Sequence, residues 1–285
     1  MRPAYVTDQG LIDFIERAFQ EDFGDGDHST LAAIPADSKQ SAYLAMKEDG
    51  IIAGIELAPF IFKKLDPEIE ITYLVKDGDA VQTGDVIMRL EGKVHAILGG
   101  ERLFLNCLQR MSGIATKTHL LHQLISHTGA KLLDTRKTTP NMRMLEKWAV
   151  TLGGGVNHRY GLYDMIMLKD NHNDFAGGIT DAVAAAKSYL QTTKRDLKIE
   201  VETRTLKEVQ EALDVGGVFR IMLDNMSIED MKKAVQLVSN RSETEASGGI
   251  TEETIGAIAE TGVDYISVGA LTHSIKSLDI SLKAE

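Results

Sequence analysis

Cysteine is almost missing from this chain: Cys107 is the only one. No disulfide can close within it, and a reducing cytoplasm is the expected setting. Positive charge is in deficit. Against 42 Asp and Glu stand 31 Lys and Arg, a formal net charge of −11, which argues against a nucleic-acid partner. Long apolar runs are missing as well, and none approaches the roughly 20 residues that span a bilayer. The first residues lack the apolar centre of a secretion signal. Leu11, Phe14, Ile15, Ala18 and Phe19 instead mark one face of an amphipathic helix. A soluble cytoplasmic protein with no membrane or nucleic-acid partner is expected.

What is present is a large core and a regular pattern. With 285 residues, 43% of them hydrophobic, the chain can form two domains or one large α/β barrel. Up to about Gly100 it mixes a helix over 12–19, strand-like alternation and Gly-Asp turns. The piece ITYLVKDGDAVQTGDVIMRLEG alternates apolar and polar residues around Asp77-Gly78-Asp79 and Gly84-Asp85, which predicts antiparallel hairpins. A long helix follows from Glu101, with a bend expected at Ser112-Gly113. Beyond it, strand candidates at 130–134, 165–168, 197–202, 219–223, 243–246 and 265–268 alternate with helices at 180–190, 206–215, 227–238 and 251–260. Of the two helix starts Ser227 and Thr251, only Ser227, with Asp230 three residues on, approximates a capping box. Alternation of this kind implies a parallel sheet. The segment is too short for an eight-unit barrel of roughly 250 residues, so a smaller or irregular barrel is favoured.

The stretch 132–172 packs cations and glycines at a density no fold requires: LLDTRKTTPNMRMLEKWAVTLGGGVNHRYGLYDMIMLKDNH. Arg136, His158, Arg159 and Lys169 form a cationic set able to grip planar carboxylates or phosphates; the bland alternative is pairing with Asp134 or Asp164. Gly153, Gly154 and Gly155 permit close backbone approach or a plain turn. Arg136, Lys169, Glu202, Asp224 and Ser247 each fall at the carboxyl end of a predicted strand. In an α/β barrel those ends share one mouth, where active sites form.

Glu202 and Asp224, with Glu200 two residues before Glu202, would repel one another unless a cation or proton is shared. Mg²⁺ held by one or two carboxylates and substrate phosphates fits. Ser247-Gly248-Gly249 and Ser267-Val268-Gly269-Ala270 offer backbone N–H groups suited to phosphate, with His273 close behind. His119 and His122 lack a cysteine partner for zinc. Arg102 reads from spacing alone as a surface residue, and Met111 and Trp148 as core.

DTRKTTP, GGGVNHRYGLYD, KDNH, EVE, LDN, EASGGIT and ISVGALTHS together resemble the quinolinate phosphoribosyltransferases, the carboxylating nicotinate-nucleotide pyrophosphorylases. ERLFLNCLQRMSGIAT is similar to that family's inter-domain helix, and EDFGDGDHST to its amino-terminal signature. The likeness covers essentially the whole chain. One departure is Asn141, where the family often has glycine, and Asn tolerates left-handed backbone.

The resemblance implies an open α/β sandwich over 1–112 and an irregular seven-stranded α/β barrel over 113–274, with the tail 275–285 packing on the sandwich. It implies a homodimer or larger homo-oligomer with shared sites. Arg102 would reach the partner's site, while Arg136, His158, Arg159 and Lys169 would hold quinolinate. Lys137, Glu202, Asp224, Ser247, Gly248, Gly269 and His273 would surround phosphoribosyl pyrophosphate, with Glu202 and Asp224 toward Mg²⁺.

The chemistry suits those residues. The pyridine nitrogen carries its own lone pair, so attack on the anomeric carbon needs no base. Positioning of this kind can supply about 7–11 kcal/mol of a barrier. Lys137 and Mg²⁺ would stabilise the departing pyrophosphate, and Glu202 an oxocarbenium-like ribose. Catalytic weight therefore falls on Lys137, Lys169, Glu202 and Asp224. Whether Lys169 or an arginine assists decarboxylation stays open. Two rivals are a related phosphoribosyltransferase-like protein linked to molybdate uptake and a lipoyl-type carrier hairpin. LYDMIMLKDNH disfavours the first, and Lys76, placed before the turn, disfavours the second.

Overall fold

Thr7 opens the first helix by accepting the N–H of Gly10 at 3.1 Å, one of the donors a helix start leaves unbonded. Helix α1 (Asp8–Phe23) then buries Leu11, Ile15 and Phe19 at four-residue spacing. In chain order there follow α2 (His28–Ala33), β1 (Lys39–Met46), β2 (Gly50–Ile51), a 3₁₀ turn at Ile55–Leu57, α3 (Ala58–Leu65), β3 (Glu70–Tyr73), β4 (Ala80–Val81), β5 (Val86–Lys93) and α4 (Val94–Ile125). Next come β6 (Lys131–Leu133), α5 (Arg143–Leu152), β7 (Ile166–Leu168), α6 (Asp170–Ala176), α7 (Ile179–Thr193), β8 (Ile199–Thr203) and α8 (Leu206–Val215). The chain closes with β9 (Arg220–Asp224), α9 (Ile228–Val238), β10 (Glu243–Ser247), α10 (Glu252–Ala259), β11 (Tyr265–Ser267), α11 (Ala270–His273) and β12 (Ile280–Ala284).

The computed structural model describes residues 2–285 and divides into two units. One comprises the chain up to His119 together with Thr138–Gly154 and Leu271–Glu285; the other comprises Leu120–Lys137 and Gly155–Ala270. The sequence reading placed 113–274 in one barrel domain, whereas Thr138–Gly154 clusters with the first unit. The physical reason lies in Glu146, fully buried on α5. It accepts Arg110 Nε at 3.1 Å and Nη2 at 3.0 Å from α4, and the Thr139 N–H at 3.1 Å. A buried carboxylate needs such partners, and here they come from α4.

The first unit is built on an antiparallel sheet of order β12-β1-β5-β3. β12, near the end of the chain, pairs with β1 from Ala42↔Ala284 to Met46↔Ile280. Phe62 of α3 meets Phe104 of α4 edge to face, ring centroids 5.3 Å apart. The hairpins expected between 71 and 92 form only in part. β3 pairs with β5, but β4 turns away and pairs with β2. Asp77 explains the change: its carboxylate accepts the N–H groups of Gly54, Ile55 and Glu56 at 2.6, 2.9 and 3.2 Å. The turn is drawn onto the start of the 3₁₀ segment, and no carrier-type hairpin presents Lys76. Helix α4 starts at Val94 rather than at Glu101, an onset masked by the poor helix formers Gly99 and Gly100.

Asn141 has φ of 64°, the left-handed conformation that asparagine tolerates best after glycine. Gly153 ends α5 where a Cβ would stand 2.3 Å from the carbonyl oxygen of Ala115. That close approach accounts for the first glycine of the triplet.

The second unit holds six parallel strands in the order β6-β11-β10-β9-β8-β7. Six regular strands are present where seven are expected, and Val156 bridges Leu133 in parallel as a single residue on the free side of β6. Each crossover is a helix with one buried stripe: Val209 and Ala212 in α8, Met231, Ala234 and Val238 in α9, Ile255, Ile258 and Ala259 in α10. Fully burying a side chain of the Val, Ile or Met kind contributes about 1.5–3 kcal/mol, so these stripes hold the helices to the sheet. Ser227 caps α9 at the Asp230 N–H. Thr251 and Thr254 also close a capping box, contrary to the sequence expectation, because a threonine hydroxyl can replace the usual Glu as the returning acceptor.

Candidate active site

A parallel sheet brings the carboxyl ends of its strands to one edge, and here those ends are polar. β6 runs into Asp134-Thr135-Arg136-Lys137, and β7 into Lys169. β8 carries Glu202, β9 ends at Asp224 and β10 at Ser247. Asp224 and Ser247 are register partners. The second unit therefore gathers Arg136, Lys137, His158, Arg159, Lys169, Glu202, Asp224, Ser247, Gly248 and Gly269. Arg102 and His273 belong to the first unit. Arg102 is exposed on α4, 3.6 Å from Glu101, and His273 Nδ1 lies 2.7 Å from Ser274 Oγ.

The acids beside the cations serve the loop backbone. Asp134, fully buried, accepts the His158 N–H at 2.9 Å and Asn157 Nδ2 at 2.6 Å. Asp164 accepts the N–H groups of Tyr160 and Gly161 at 2.6 and 2.8 Å. These bonds hold the loop that carries Arg159, whose Nη1 donates to the Met165 carbonyl at 3.0 Å. Burial first, and then the charge of Arg136, lowers the pKa of Arg159. Both guanidinium groups are half-buried and repel one another, and an anion bound to both would relieve the desolvation and the repulsion.

Glu202 is half-buried, and its carboxyl is raised by burial and then by Asp224, against an opposing pull from Lys169. Asn173 Nδ2 of α6 donates to the Glu202 carbonyl at 3.2 Å. Lys169 caps α6, its N–H donating to His172 Nδ1 at 3.0 Å. Asn225 Nδ2 donates to Asp224 Oδ2 at 2.8 Å, and its N–H to the Ser247 carbonyl at 2.9 Å. Gly248 has φ of +94°, and a Cβ there would lie 2.2 Å from Asn225 Oδ1, so only glycine lets this turn close over the asparagine. The Glu202–Asp224 pair is a hard oxygen donor set of the kind Mg²⁺ takes together with phosphate oxygens, and the mutual repulsion of the two carboxylates fits a shared cation.

His158 is 9% exposed and committed inward. Nε2 lies 3.0 Å from Glu200 and 3.4 Å from Glu245, and Nδ1 accepts the Arg159 N–H at 2.7 Å. Burial lowers its pKa, but the hydrogen bonds to Glu200 and Glu245 outweigh burial and lift it to about 9. The bond received at Nδ1 opposes a second proton. We assign the neutral ring protonated on Nε2, because a 2.7 Å N–H donor leaves no room for hydrogen on Nδ1. The sequence reading missed Glu245 and Arg220 altogether. The available signal was the alternation of charge within apolar strands, Glu200 and Glu202 in one, Glu243 and Glu245 in another, with Arg220 between them.

Known proteins carry the same organisation. The family model for the quinolinate phosphoribosyl transferase C-terminal domain matches residues 114–283, and that for the N-terminal domain matches 27–112. Quinolinate phosphoribosyltransferase [decarboxylating] 1b of Nicotiana tabacum is 46% identical over 298 aligned residues, covering 99% of this chain and 84% of that protein. The chloroplastic nicotinate-nucleotide pyrophosphorylase [carboxylating] of Arabidopsis thaliana is 47% identical, covering 95% and 82%. The crystal structure of NadC from Streptococcus pyogenes superposes with a TM-score of 0.92 at 39% identity, covering 98% of this chain and 99% of that one. The sandwich and irregular barrel are thus a known pair, and the chain belongs to the quinolinate phosphoribosyltransferase family.

Proposed function

We infer that this chain transfers the phosphoribosyl group of phosphoribosyl pyrophosphate to quinolinate with decarboxylation. The products are nicotinate mononucleotide, pyrophosphate and CO₂, a step of NAD biosynthesis. The observation that carries the reading is the delivery of Arg136, Lys169, Glu202 and Asp224 to the carboxyl edge of one parallel sheet, with Arg159 close enough to Arg136 to feel its charge. A dicarboxylate satisfies the basic side chains, and a phosphorylated sugar with its cation satisfies the acidic ones.

Arg136, Arg159 and Lys169 hold the two carboxylates, with His158 at the base of the loop that carries Arg159. This fixes the ring so that its nitrogen faces the anomeric carbon. The new N–C bond forms as the C–O bond to pyrophosphate breaks. Lys137 meets the departing charge, and the N–H groups at Ser247, Gly248 and Gly269 suit the phosphates. His273 is assigned to phosphate on its motif position. Glu202 faces the positive charge that develops on the ribose. Mg²⁺, held by Glu202 and Asp224, would supply charge neutralisation for the pyrophosphate. Once the ring nitrogen is alkylated, its positive charge stabilises the carbanion left on the adjacent carbon when that carbon's carboxylate departs as CO₂, and the carbanion then takes up a proton.

A homodimer or larger homo-oligomer, with Arg102 reaching the partner subunit, is supported by the exposure of Arg102 and of Leu162, Tyr163 and Phe175, the last 92% exposed. A cytoplasmic setting is supported by the single buried cysteine. No helix among the described residues is long and apolar enough to cross a membrane. Purified protein given quinolinate, phosphoribosyl pyrophosphate and Mg²⁺ should form nicotinate mononucleotide on chromatography. A folded sample that forms none would refute the assignment.

A further inference from the structure

Beneath the cations lies a layer of charge that the reaction itself does not call for. Glu200 and Glu245 are fully buried and Arg220 is 7% exposed. Strand register places them together: Glu200 stands opposite Arg220, Arg220 opposite Glu243, and Glu245 opposite Tyr265. Arg220 Nη1 lies 3.0 Å from Glu245 and 3.9 Å from Glu200. Its Nε and Nη2 bind Glu243 at 3.0 and 2.7 Å, and its guanidinium sits 4.1 Å from the centroid of the Tyr265 ring.

The ligand atoms of His158, Glu200 and Glu245 lie within 4.8 Å of one another, near enough to hold a metal ion. Arg220 argues for a different cation. Two buried carboxylates cost several kcal/mol each unless paired, and the guanidinium together with the Nε2–H of His158 provides the pairing. A divalent ion would have to sit against a guanidinium that is itself anchored by Glu243 and Tyr265. One oxygen of each carboxylate, Glu200 Oε2 and Glu245 Oε1, makes no hydrogen bond. The hold on His158 therefore passes through its single Nε2–H, which faces both carboxylates.

The layer is tied to the rim through consecutive residues. Nε2 of His158 is gripped from below, its N–H is bound by Asp134, and Nδ1 receives the N–H of Arg159. We propose that Glu200 and Glu245 are positioning residues for quinolinate, acting through His158 on Arg159, with Arg220 as the resident counter-cation of the pair. This rests on the assignment of Arg159 to quinolinate. Neither glutamate touches the substrate. They set the turn from which Arg159 projects.

The test compares wild type, Glu245→Gln, Glu200→Gln, Arg220→Met and the double variant Glu245→Gln/Arg220→Met by steady-state kinetics. Each glutamine variant keeps side-chain volume but loses charge. It should raise KM for quinolinate about 10- to 100-fold, the usual scale for an outer-shell partner, and leave KM for phosphoribosyl pyrophosphate unchanged. The double variant should lose less than the product of the two single losses, since removing both charges removes the uncompensated one. Equal rises in both KM values, or none, would overturn the proposal. Should the variants not fold, ¹⁵N spectra of wild-type His158 still decide: Nε2 must carry the proton, and a proton on Nδ1 overturns it. Stoichiometric metal surviving chelation in purified protein would also overturn the role of Arg220. A wild type inactive on quinolinate would instead mark failure of the assigned reaction.

Discussion

Arg159 and Arg136 oppose each other: the charge of one makes the other harder to bury, while the Met165 carbonyl pins Arg159 in place at 3.0 Å. Folding thus builds an electrostatic tension of the kind that a bound dicarboxylate would remove.

Replacing Arg136 with alanine should therefore weaken quinolinate far more than phosphoribosyl pyrophosphate. Loss of hydrogen bonds to a charged group costs about 1.5–3 kcal/mol, roughly a 10- to 100-fold rise in KM for quinolinate. Initial-rate measurements with each substrate varied in turn check this, and equal weakening of both would count against the assignment.

Gly248→Ala should damage the phosphate side. A Cβ 2.2 Å from Asn225 Oδ1, at φ of +94°, forces the asparagine out of its bond with Asp224. Strain in such backbone costs on the order of 1–3 kcal/mol. KM for phosphoribosyl pyrophosphate should rise while that for quinolinate holds. A variant with wild-type kinetics would show the turn to be freer than its geometry states.

How far the sequence disclosed this site depends on where each charge sits. Arg136, Lys169, Glu202 and Asp224 were legible because each interrupts or ends an apolar run, and a parallel sheet then aligns such interruptions. Arg220 and Glu245 were not, because alternating charge within a strand reads as a solvated face. In this unit that face is buried instead. The pairing of β4 with β2 was hidden for another reason. It depends on Asp77 meeting backbone N–H groups 21 to 23 residues earlier, a contact that no local pattern encodes. The grouping of α5 with the first unit likewise involves long-range contacts, the half-buried Arg110 on buried Glu146 and the close approach of Gly153 to Ala115.

Cys107 should be inert in the native protein. Burial alone pushes its thiol up to about 12, so almost no thiolate exists near neutral pH. A chromogenic disulfide reagent at about pH 8 should titrate no thiol until denaturant is added, and then one. Rapid native labelling would contradict the packing of α4.

Asp66 should contribute to acid sensitivity. Its buried carboxylate accepts the N–H groups of Lys93 and Glu68 at 3.0 and 3.2 Å, which holds its pKa below the ordinary value. A carboxyl lowered on folding stabilises above its unfolded pKa, near 3.9, and that stability is lost as pH falls through the folded value. Asp66→Asn should be less stable by about 1–3 kcal/mol at neutral pH. Denaturant melts should show the gap closing below about pH 4. A gap that persists unchanged into acid would refute the linkage.

Under the proposed assignment, the cations at the strand ends recognise two carboxylates, not one. The decisive measurement is kcat/KM for quinolinate against nicotinate, each with phosphoribosyl pyrophosphate and Mg²⁺, by chromatography of nicotinate mononucleotide. A site built to bond a group rejects the analogue lacking it by about 10⁴–10⁵, so nicotinate should yield almost no product. Comparable rates with the two substrates would contradict the account.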